Sequence, residues 1–191
     1  MRKIFAIILI LIGTSNSSYS FSQKFLSLKQ ASIKHVDSVQ YLKITRQKLT
    51  HLPKEIYRYK NLVALDLSKN KIKNIPDSIS NFDQLEMVNL RKNKFEVFPE
   101  SLFQMKNIKE IVISSNQIGF VPDAIGQCTQ LRKLDLYNNP ISDLGQGLQD
   151  LKNMEELDLR GLMMNAKKQK DIVEKLPLVH ILFDAPCNCV D

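Results

Sequence analysis

Residues 62–84 read LVALDLSKNKIKNIPDSISNFDQ, and this stretch recurs along the chain. The following residues, 85–107, read LEMVNLRKNKFEVFPESLFQMKN, and residues 108–130 read IKEIVISSNQIGFVPDAIGQCTQ. Comparing the chain with itself at a step of 23 residues gives six copies, which begin at Val39, Leu62, Leu85, Ile108, Leu131 and Met154. Repeats of this length form solenoids, because no single unit can bury its own apolar face. The sequence therefore predicts a stack of coils over residues 39–176.

Each repeat has the pattern of a short strand followed by a turn. Leu65 and Leu67 alternate with Ala64 and Asp66, which predicts the leucines inside and the other two facing out. An asparagine then recurs at one position, where its amide can both donate to and accept from backbone groups between coils. This predicted asparagine ladder consists of Asn70, Asn93, Asn116 and Asn139. A proline later in the repeat, such as Pro76, fixes φ and begins a helical turn on the opposite side.

These residues resemble the leucine-rich repeat family, whose consensus is LxxLxLxxNxLxxLPxxIxxLxx. The constant repeat length and the proline are most similar to the Ras-suppressor and plant Ras-group-related subclass, here in a bacterial-type exported form. The resemblance implies an α/β fold, a curved solenoid with a parallel β-sheet on its concave face and short helical or 3-10 turns on its convex face. The family shares a shape rather than a reaction, and the resemblance implies protein binding on the concave sheet.

The two ends of the chain depart from the repeat. Residues 21–38 are predicted to form an N-terminal cap, in which Ser27 and Gln30 form a capping box at the start of a short helix. In the last copy Asn165 can cap a helix that runs to about Lys175. Residues 177–191 are predicted to form a final edge strand and an irregular tail.

The first twenty residues have the three parts of a secretory signal peptide. A basic start, Arg2 and Lys3, precedes nine apolar residues at 4–12 and a polar, small-residue stretch at 13–20. Nine residues reach about 14 Å as a helix, which is about half of a bilayer core, so a membrane-spanning segment is not expected after cleavage. We predict cleavage after Ser20 and a secreted, periplasmic or cell-envelope location for the mature chain.

The composition and motifs argue against catalysis. The 191 residues carry a net charge of +7 with 43% hydrophobic and 25% charged residues, which is typical of a globular domain. The three histidines, His35, His51 and His180, fall at different places around the repeat, and no phosphate-binding loop or nucleophile elbow is present in the sequence. We therefore expect no enzyme activity, no cofactor and no metal site.

The three cysteines have separate interpretations. Cys128 occupies an apolar position of its repeat and is predicted to be a small buried hydrophobe. Cys187 and Cys189 form a Cys-x-Cys pair in the tail. In an oxidising compartment this pair could bridge internally, bridge to another chain or stay reduced, and the sequence leaves the three states open.

The outward positions of the predicted strands supply candidate partner-binding residues. Tyrosine, methionine and arginine are the types that interfaces enrich, and a sheet of six strands spans about 29 Å, enough for a standard footprint. The candidates on the concave face are Tyr41, Met87, Arg91, Glu110, Lys133, Tyr137 and Arg160.

A cluster of positive charge follows the first three strands. At two outward positions the first three copies carry cations, and we call this set the basic rim: Arg46, Lys48, Lys69, Lys71, Lys92 and Lys94. The last three copies carry none there. Two interpretations stay open, a solvated rim that aids solubility and an edge that faces an anionic partner. Nucleic acid is not expected for an exported chain without aromatic residues between these cations.

Two functions from different classes fit these features. The favoured one is an exported, monomeric module that binds a protein, or an acidic macromolecule such as an anionic glycan, through the concave sheet. The alternative is a passive structural component of the cell envelope or matrix that associates through its edge or its Cys-x-Cys tail.

Overall fold

The computed structural model describes residues 24–187, which form a single parallel solenoid. The predicted signal peptide, its cleavage point after Ser20, and Cys189 lie outside the described residues. One strand of three residues forms in each coil, and consecutive coils pair in parallel at a constant offset. The main sheet has seven strands: β1 (Tyr41–Lys43), β2 (Ala64–Asp66), β3 (Met87–Asn89), β4 (Glu110–Val112), β6 (Lys133–Asp135), β8 (Glu156–Asp158) and β9 (His180–Leu182). They lie in the order β1-β2-β3-β4-β6-β8-β9. A separate two-stranded sheet pairs β5 (Phe120–Val121) with β7 (Asp143–Leu144).

Short 3-10 helices form the opposite, convex side of the coils. They cover Lys54–Arg58, Asp77–Asn81, Glu100–Gln104, Asp123–Gln127 and Gln146–Asp150. In the first four of these coils the residue before the helix is the recurring proline, as Pro76 is before Asp77–Asn81. Gly145 takes this place in the fifth coil. Proline fits there because its fixed φ starts the turn and its missing N–H has no role at a helix start.

The core is a set of apolar columns that run along the solenoid. Leu42, Leu65, Val88, Ile111 and Leu134 are paired in register on successive strands and are at most 1% exposed. Because each coil supplies one residue to each column, neighbouring coils bury one another's apolar faces.

The N-terminal end is closed by the segment before the repeats. Ser27 and Gln30 form the predicted capping box of α1 (Leu28–Ser32). Leu26 pairs with β1 through two backbone hydrogen bonds, from its N–H to Tyr41 O at 2.9 Å and from Lys43 N–H to its own carbonyl at 2.8 Å. A further 3-10 helix covers Val36–Ser38. The edge of the sheet is therefore covered at this end.

The C-terminal end replaces the last convex turn with a longer helix. Asn165 Oδ1 accepts a hydrogen bond from Lys168 N–H at 2.9 Å and caps α2 (Ala166–Lys175).

The two cysteines in the described residues differ in state. Cys187 is disulfide-bonded, whereas Cys128 is a free thiol packed in the core, where burial raises its pKa to about 12. Cys128 is thus the inert apolar residue that its repeat position predicted.

Candidate functional site

The candidate residues on the concave sheet fall into two rows. The first row lies at the start of each strand and holds Tyr41, Met87, Glu110 and Lys133, each paired in register with the neighbouring coil. The second row lies two residues beyond each strand and holds Arg91, Tyr137 and Arg160. The solenoid therefore brings the predicted residues onto one face.

The exposure of these residues differs from what alternation alone predicts. Met87 is only 8% exposed, and Ala64 and Asp66, also predicted to face out, are 0% and 8% exposed. Side chains of the adjacent coils cover these three residues, because neighbouring strands lie only about 4.8 Å apart. Met87 therefore offers a partner little surface, whereas Arg91, Tyr137 and Arg160 are exposed.

Acidic and amide side chains in the middle of the face have a local structural role. Asp66, Asn89, Asp135 and Asp158 each accept a hydrogen bond from the backbone N–H two residues later, at 2.9–3.1 Å. Such a bond fixes the chain as it leaves the strand. These residues thus set the direction of the second row of the face.

Tyr137 and Arg160 form a preorganised pair on adjacent coils. The Arg160 guanidinium lies 5.8 Å from the centre of the Tyr137 ring and donates to Asp158 at 3.0 Å and 2.6 Å. The hydrogen bonds and charge of Asp158 raise the pKa of Arg160 above its ordinary value. A guanidinium held by two bonds loses little rotamer freedom when a partner binds, which is what an interface anchor needs.

Glu110 lies at the start of β4, at the opposite end of the strands from this pair, and has an unsatisfied oxygen. Its Oε2 is buried and has no hydrogen-bond partner, alone among the buried side-chain nitrogen and oxygen atoms of residues 24–187. Burial raises the pKa of the Glu110 carboxyl, while the nearby Lys133 acts in the opposite direction. The carboxyl lines a hollow of about 240 Å³ together with Lys133, Asp135, Glu156, Asp158 and Arg160. A donor brought by a partner would satisfy this oxygen.

Two ion pairs border the face where the chain enters each strand. Lys109 Nζ lies 2.7 Å from Glu86 Oε1, and Arg132 Nε donates to Glu155 Oε1 at 2.7 Å. Each pair joins residues 23 positions apart, so it links one coil to the next. Reading the sequence in columns at the repeat spacing would have found both pairs.

The basic rim begins at a backbone position of unusual conformation. Arg46, Lys69 and Lys92 have left-handed φ angles of 59°, 59° and 55°, and Lys48 has a φ of 56°. The N–H group of Lys69 donates to Arg91 O at 2.8 Å, and that of Lys92 donates to Ser114 O at 2.9 Å. This conformation therefore lets the backbone of one coil hydrogen-bond to the next. The side chains of all six rim residues are exposed.

Mutual repulsion acts on the rim. The pKa of Lys69 lies below its ordinary value, chiefly because of the charge on Arg46, with smaller effects of burial, Lys92 and Arg91. Across residues 24–187 no carboxylate forms an ion pair with any rim cation. The rim therefore concentrates positive charge that the fold itself leaves uncompensated.

The asparagine ladder joins each coil to the one before it. Asn93 Nδ2 donates to Leu67 O at 3.1 Å and Leu90 O at 2.9 Å, and its Oδ1 accepts from Ile72 N–H at 3.0 Å. Asn70, Asn116 and Asn139 make the same type of contact with their own pairs of coils, and all four are at most 8% exposed. Their role is structural, and they present nothing to a partner.

No group of three or more His, Cys, Asp or Glu in residues 24–187 is arranged to hold a metal ion. Within the same range, no helix combines the length and the apolarity needed to cross a bilayer.

Comparisons with known proteins identify the type of fold. A family model described as a leucine-rich repeat matches residues 37–95, 83–141 and 106–161. Among solved structures, a leucine-rich repeat protein of Leptospira interrogans is 23% identical with a TM-score of 0.64, and the match covers 86% of this chain and 49% of that one. A plant peptide hormone receptor, solved in complex with a peptide, is 22% identical with a TM-score of 0.57, over 76% of this chain and 27% of that one. The chain thus spans about half of the first protein and about a quarter of the second. No curated protein matches the sequence.

Proposed function

The chain belongs to the leucine-rich repeat family, and from that premise we propose that it binds a protein partner through the C-terminal half of its concave sheet. Domains of this family generally bind proteins and are typically not enzymes. The plant receptor with a similar fold is itself described in complex with a peptide. From the repeat length and the recurring proline we further propose that the chain is of the Ras-suppressor and plant Ras-group-related subclass.

The observation that carries the proposal is the group formed by Tyr137, Arg160 and Glu110. An exposed aromatic ring and a guanidinium, the side chains most often found as interface anchors, are held against each other on adjacent coils. On the same face, in a hollow that Arg160 also lines, the buried Glu110 oxygen lacks a donor. A partner that covers Tyr137 and brings a lysine, an arginine or a backbone N–H to Glu110 would complete the site.

Site-specific crosslinking tests the proposal. Tyr137 is replaced with p-benzoylphenylalanine, and the mature chain is irradiated with envelope extract from the source organism. The matched control carries the same amino acid at Phe120, an aromatic residue that is 47% exposed on β5, away from the concave face. We expect a discrete crosslinked protein at position 137 and none at position 120. Equal crosslinking at both positions would contradict a concave-face site.

Affinity measurements with the identified partner extend the test. Tyr137→Ala and Arg160→Ala should each weaken binding about thirtyfold, which corresponds to about 2 kcal/mol for an interface anchor. The alternative function, a passive structural component held by its tail, predicts that these variants bind normally and that Cys187→Ser abolishes association.

We also propose that the mature chain is exported to the periplasm, the cell envelope or the medium as a monomer. The support is the sequence of residues 1–20, with its basic start, apolar run and small residues before the cut. Mass spectrometry of protein recovered from outside the cytoplasm should give Phe21 as the first residue. Recovery of the full-length chain from the cytoplasm alone would overturn the proposal.

A further inference from the structure

The basic rim lies next to the concave sheet, and the repulsion among its charges destabilises the folded chain. Its cations repel one another, as the lowered pKa of Lys69 indicates, and they have no carboxylate partner in residues 24–187. Such an arrangement lowers the stability of the folded chain rather than raising it. A fold that needed only solubility could have carried these charges further apart.

The backbone adds a second cost at the same residues. Left-handed φ angles are unfavourable for residues with a long side chain and are best tolerated by glycine and asparagine. At the equivalent position of the last three coils the chain has Ser115, Asn138 and Gly161, with φ angles of 56°, 54° and 78°. The first three coils instead have Arg46, Lys69 and Lys92 in this conformation. The left-handed turn belongs to the repeat, since all six coils have it, and only the first three coils place a long cationic side chain on it.

Arg91 connects the rim to the concave face. It belongs to the same row as Tyr137 and Arg160, and its positive charge contributes to lowering the pKa of Lys69. The positive surface therefore continues from the sheet onto the rim without a break. A partner lying along the sheet would pass directly over these cations.

We propose that the basic rim binds an acidic segment of the same protein partner that occupies the concave sheet. This inference rests on the proposed function and adds the chemistry of the partner. The rim covers three coils and about 10 Å, which is the length of about three residues of extended chain. Lysine ammonium groups on flexible stems suit carboxylates that lack a fixed geometry. None of the six rim residues is aromatic, so the rim lacks the side chains that would stack on sugar rings or bases.

The test uses a fluorescein-labelled peptide of eight glutamates and the mature full chain. Fluorescence anisotropy is measured at low salt and at physiological salt. The rim variant carries Arg46→Asn, Lys69→Asn and Lys92→Asn, because asparagine removes the charge and accepts the left-handed backbone. The matched control carries Lys54→Gln, Lys60→Gln and Lys106→Gln, three exposed cations of the convex side, so that both variants lose the same net charge.

We expect the rim variant to bind the peptide about tenfold more weakly, since three exposed ion pairs together contribute about that much. The control variant should bind like the wild type, and raising the salt should weaken wild-type binding more than rim-variant binding. The melting temperature of the rim variant should equal or exceed that of the wild type, which separates loss of binding from loss of folding.

Other outcomes overturn the inference. Equal weakening in both variants would mean that only net charge matters. Tighter wild-type binding to heparin, to vesicles containing phosphatidylserine or to a DNA oligonucleotide than to the peptide would assign the rim to another class of ligand. If the peptide fails to bind while crosslinking at Tyr137 succeeds, the rim inference alone is wrong. If the peptide binds to the rim but Tyr137 does not crosslink, the concave-face proposal fails, and with it the assignment of the acidic segment to a partner on the sheet.

Discussion

At the scale of single residues, the asparagine ladder solves the problem of backbone groups that the turns leave inside the solenoid. Each asparagine amide donates to carbonyls of two coils, as Asn93 does to Leu67 and Leu90. A buried carbonyl or N–H without a partner costs about 1–3 kcal/mol. Each ladder asparagine should therefore contribute about 1–3 kcal/mol to the free energy of unfolding.

Replacing Asn93 with alanine should therefore destabilise the chain by about 1–3 kcal/mol, because Ile72 N–H loses its acceptor. The carbonyls of Leu67 and Leu90 each lose one of two amide donors, since Asn70 and Asn116 also donate to them. Gln47 is the matched control, since it occupies the equivalent position in the first coil, where its side chain is exposed. We expect Gln47→Ala to cost less than 0.5 kcal/mol, the usual range for surface positions. Urea unfolding of both variants provides the measurement, and equal midpoint shifts would contradict the ladder argument.

A second residue-scale prediction concerns pH. The folded state raises the pKa of Glu110 above its ordinary value of 4.5, so the folded state binds the proton more tightly than the unfolded state. This contribution to stability is therefore lost as the pH rises from about 4.5 through the raised pKa of the folded state. Glu110→Gln removes the effect, and the melting temperature of the variant relative to the wild type should be higher at pH 7 than at pH 4. A difference that is constant or reversed would show that burial of Glu110 is not costly.

At the scale of elements, the closest packing on the convex side is between the 3-10 helices Asp123–Gln127 and Gln146–Asp150. A Cβ added at Gly147 would lie 1.8 Å from the carbonyl oxygen of Asp123. A backbone atom at this distance cannot rotate away, so the two helices would have to separate. Glycine is thus required at this point by the approach of the neighbouring coil.

Gly147→Ala should accordingly destabilise the chain by about 3 kcal/mol or more, in the range of severe overpacking. Gly119 serves as the control, because a Cβ added there has nothing within 4 Å. Gly119→Ala should change stability by less than about 1 kcal/mol. Thermal unfolding of the two variants tests the prediction, and a Gly147→Ala variant as stable as the Gly119→Ala variant would contradict the packing described here.

The elements also show which features follow from sequence alone. The strands, the 3-10 turns after Pro76 and its equivalents, and the Asn165 cap of α2 could be predicted, because periodicity and capping are local signals. The burial of Met87 and the contact at Gly147 could not, since both depend on how closely the next coil approaches. The left-handed backbone of the rim position is only weakly indicated by the sequence. Asn138 and Gly161, residue types that favour this conformation, occupy the position in later coils, but the first coils have arginine or lysine there.

At the scale of the whole molecule, charge and site chemistry are divided along the solenoid. The first three coils carry the basic rim, and the later coils carry the Tyr137–Arg160 pair and the hollow around Glu110. Because the coils stack in register, a ligand lying along the sheet would meet both regions. The two regions therefore offer one partner charge steering at one end and a fixed anchor at the other.

The stacked architecture also makes the whole molecule dependent on its N-terminal cap. Without the segment before residue 39, β1 would lose its two hydrogen bonds to Leu26 and would expose an open parallel edge. The edge of β1 in one molecule could then pair with the edge of β9 in another, and such a head-to-tail contact does not close on itself. We expect a chain that begins at residue 39 to form oligomers of increasing size and to melt at a lower temperature. Its free energy of unfolding should fall by about 2 kcal/mol or more, the contribution of two backbone hydrogen bonds. Light scattering after gel filtration and a thermal scan measure the two effects.

The matched control is Phe25→Ala, which removes the edge-to-face contact of Phe25 with Tyr41 at 5.8 Å but keeps both backbone bonds, and it should stay monomeric. A truncated chain that is monomeric and melts like the wild type would show that β1 does not need its cap.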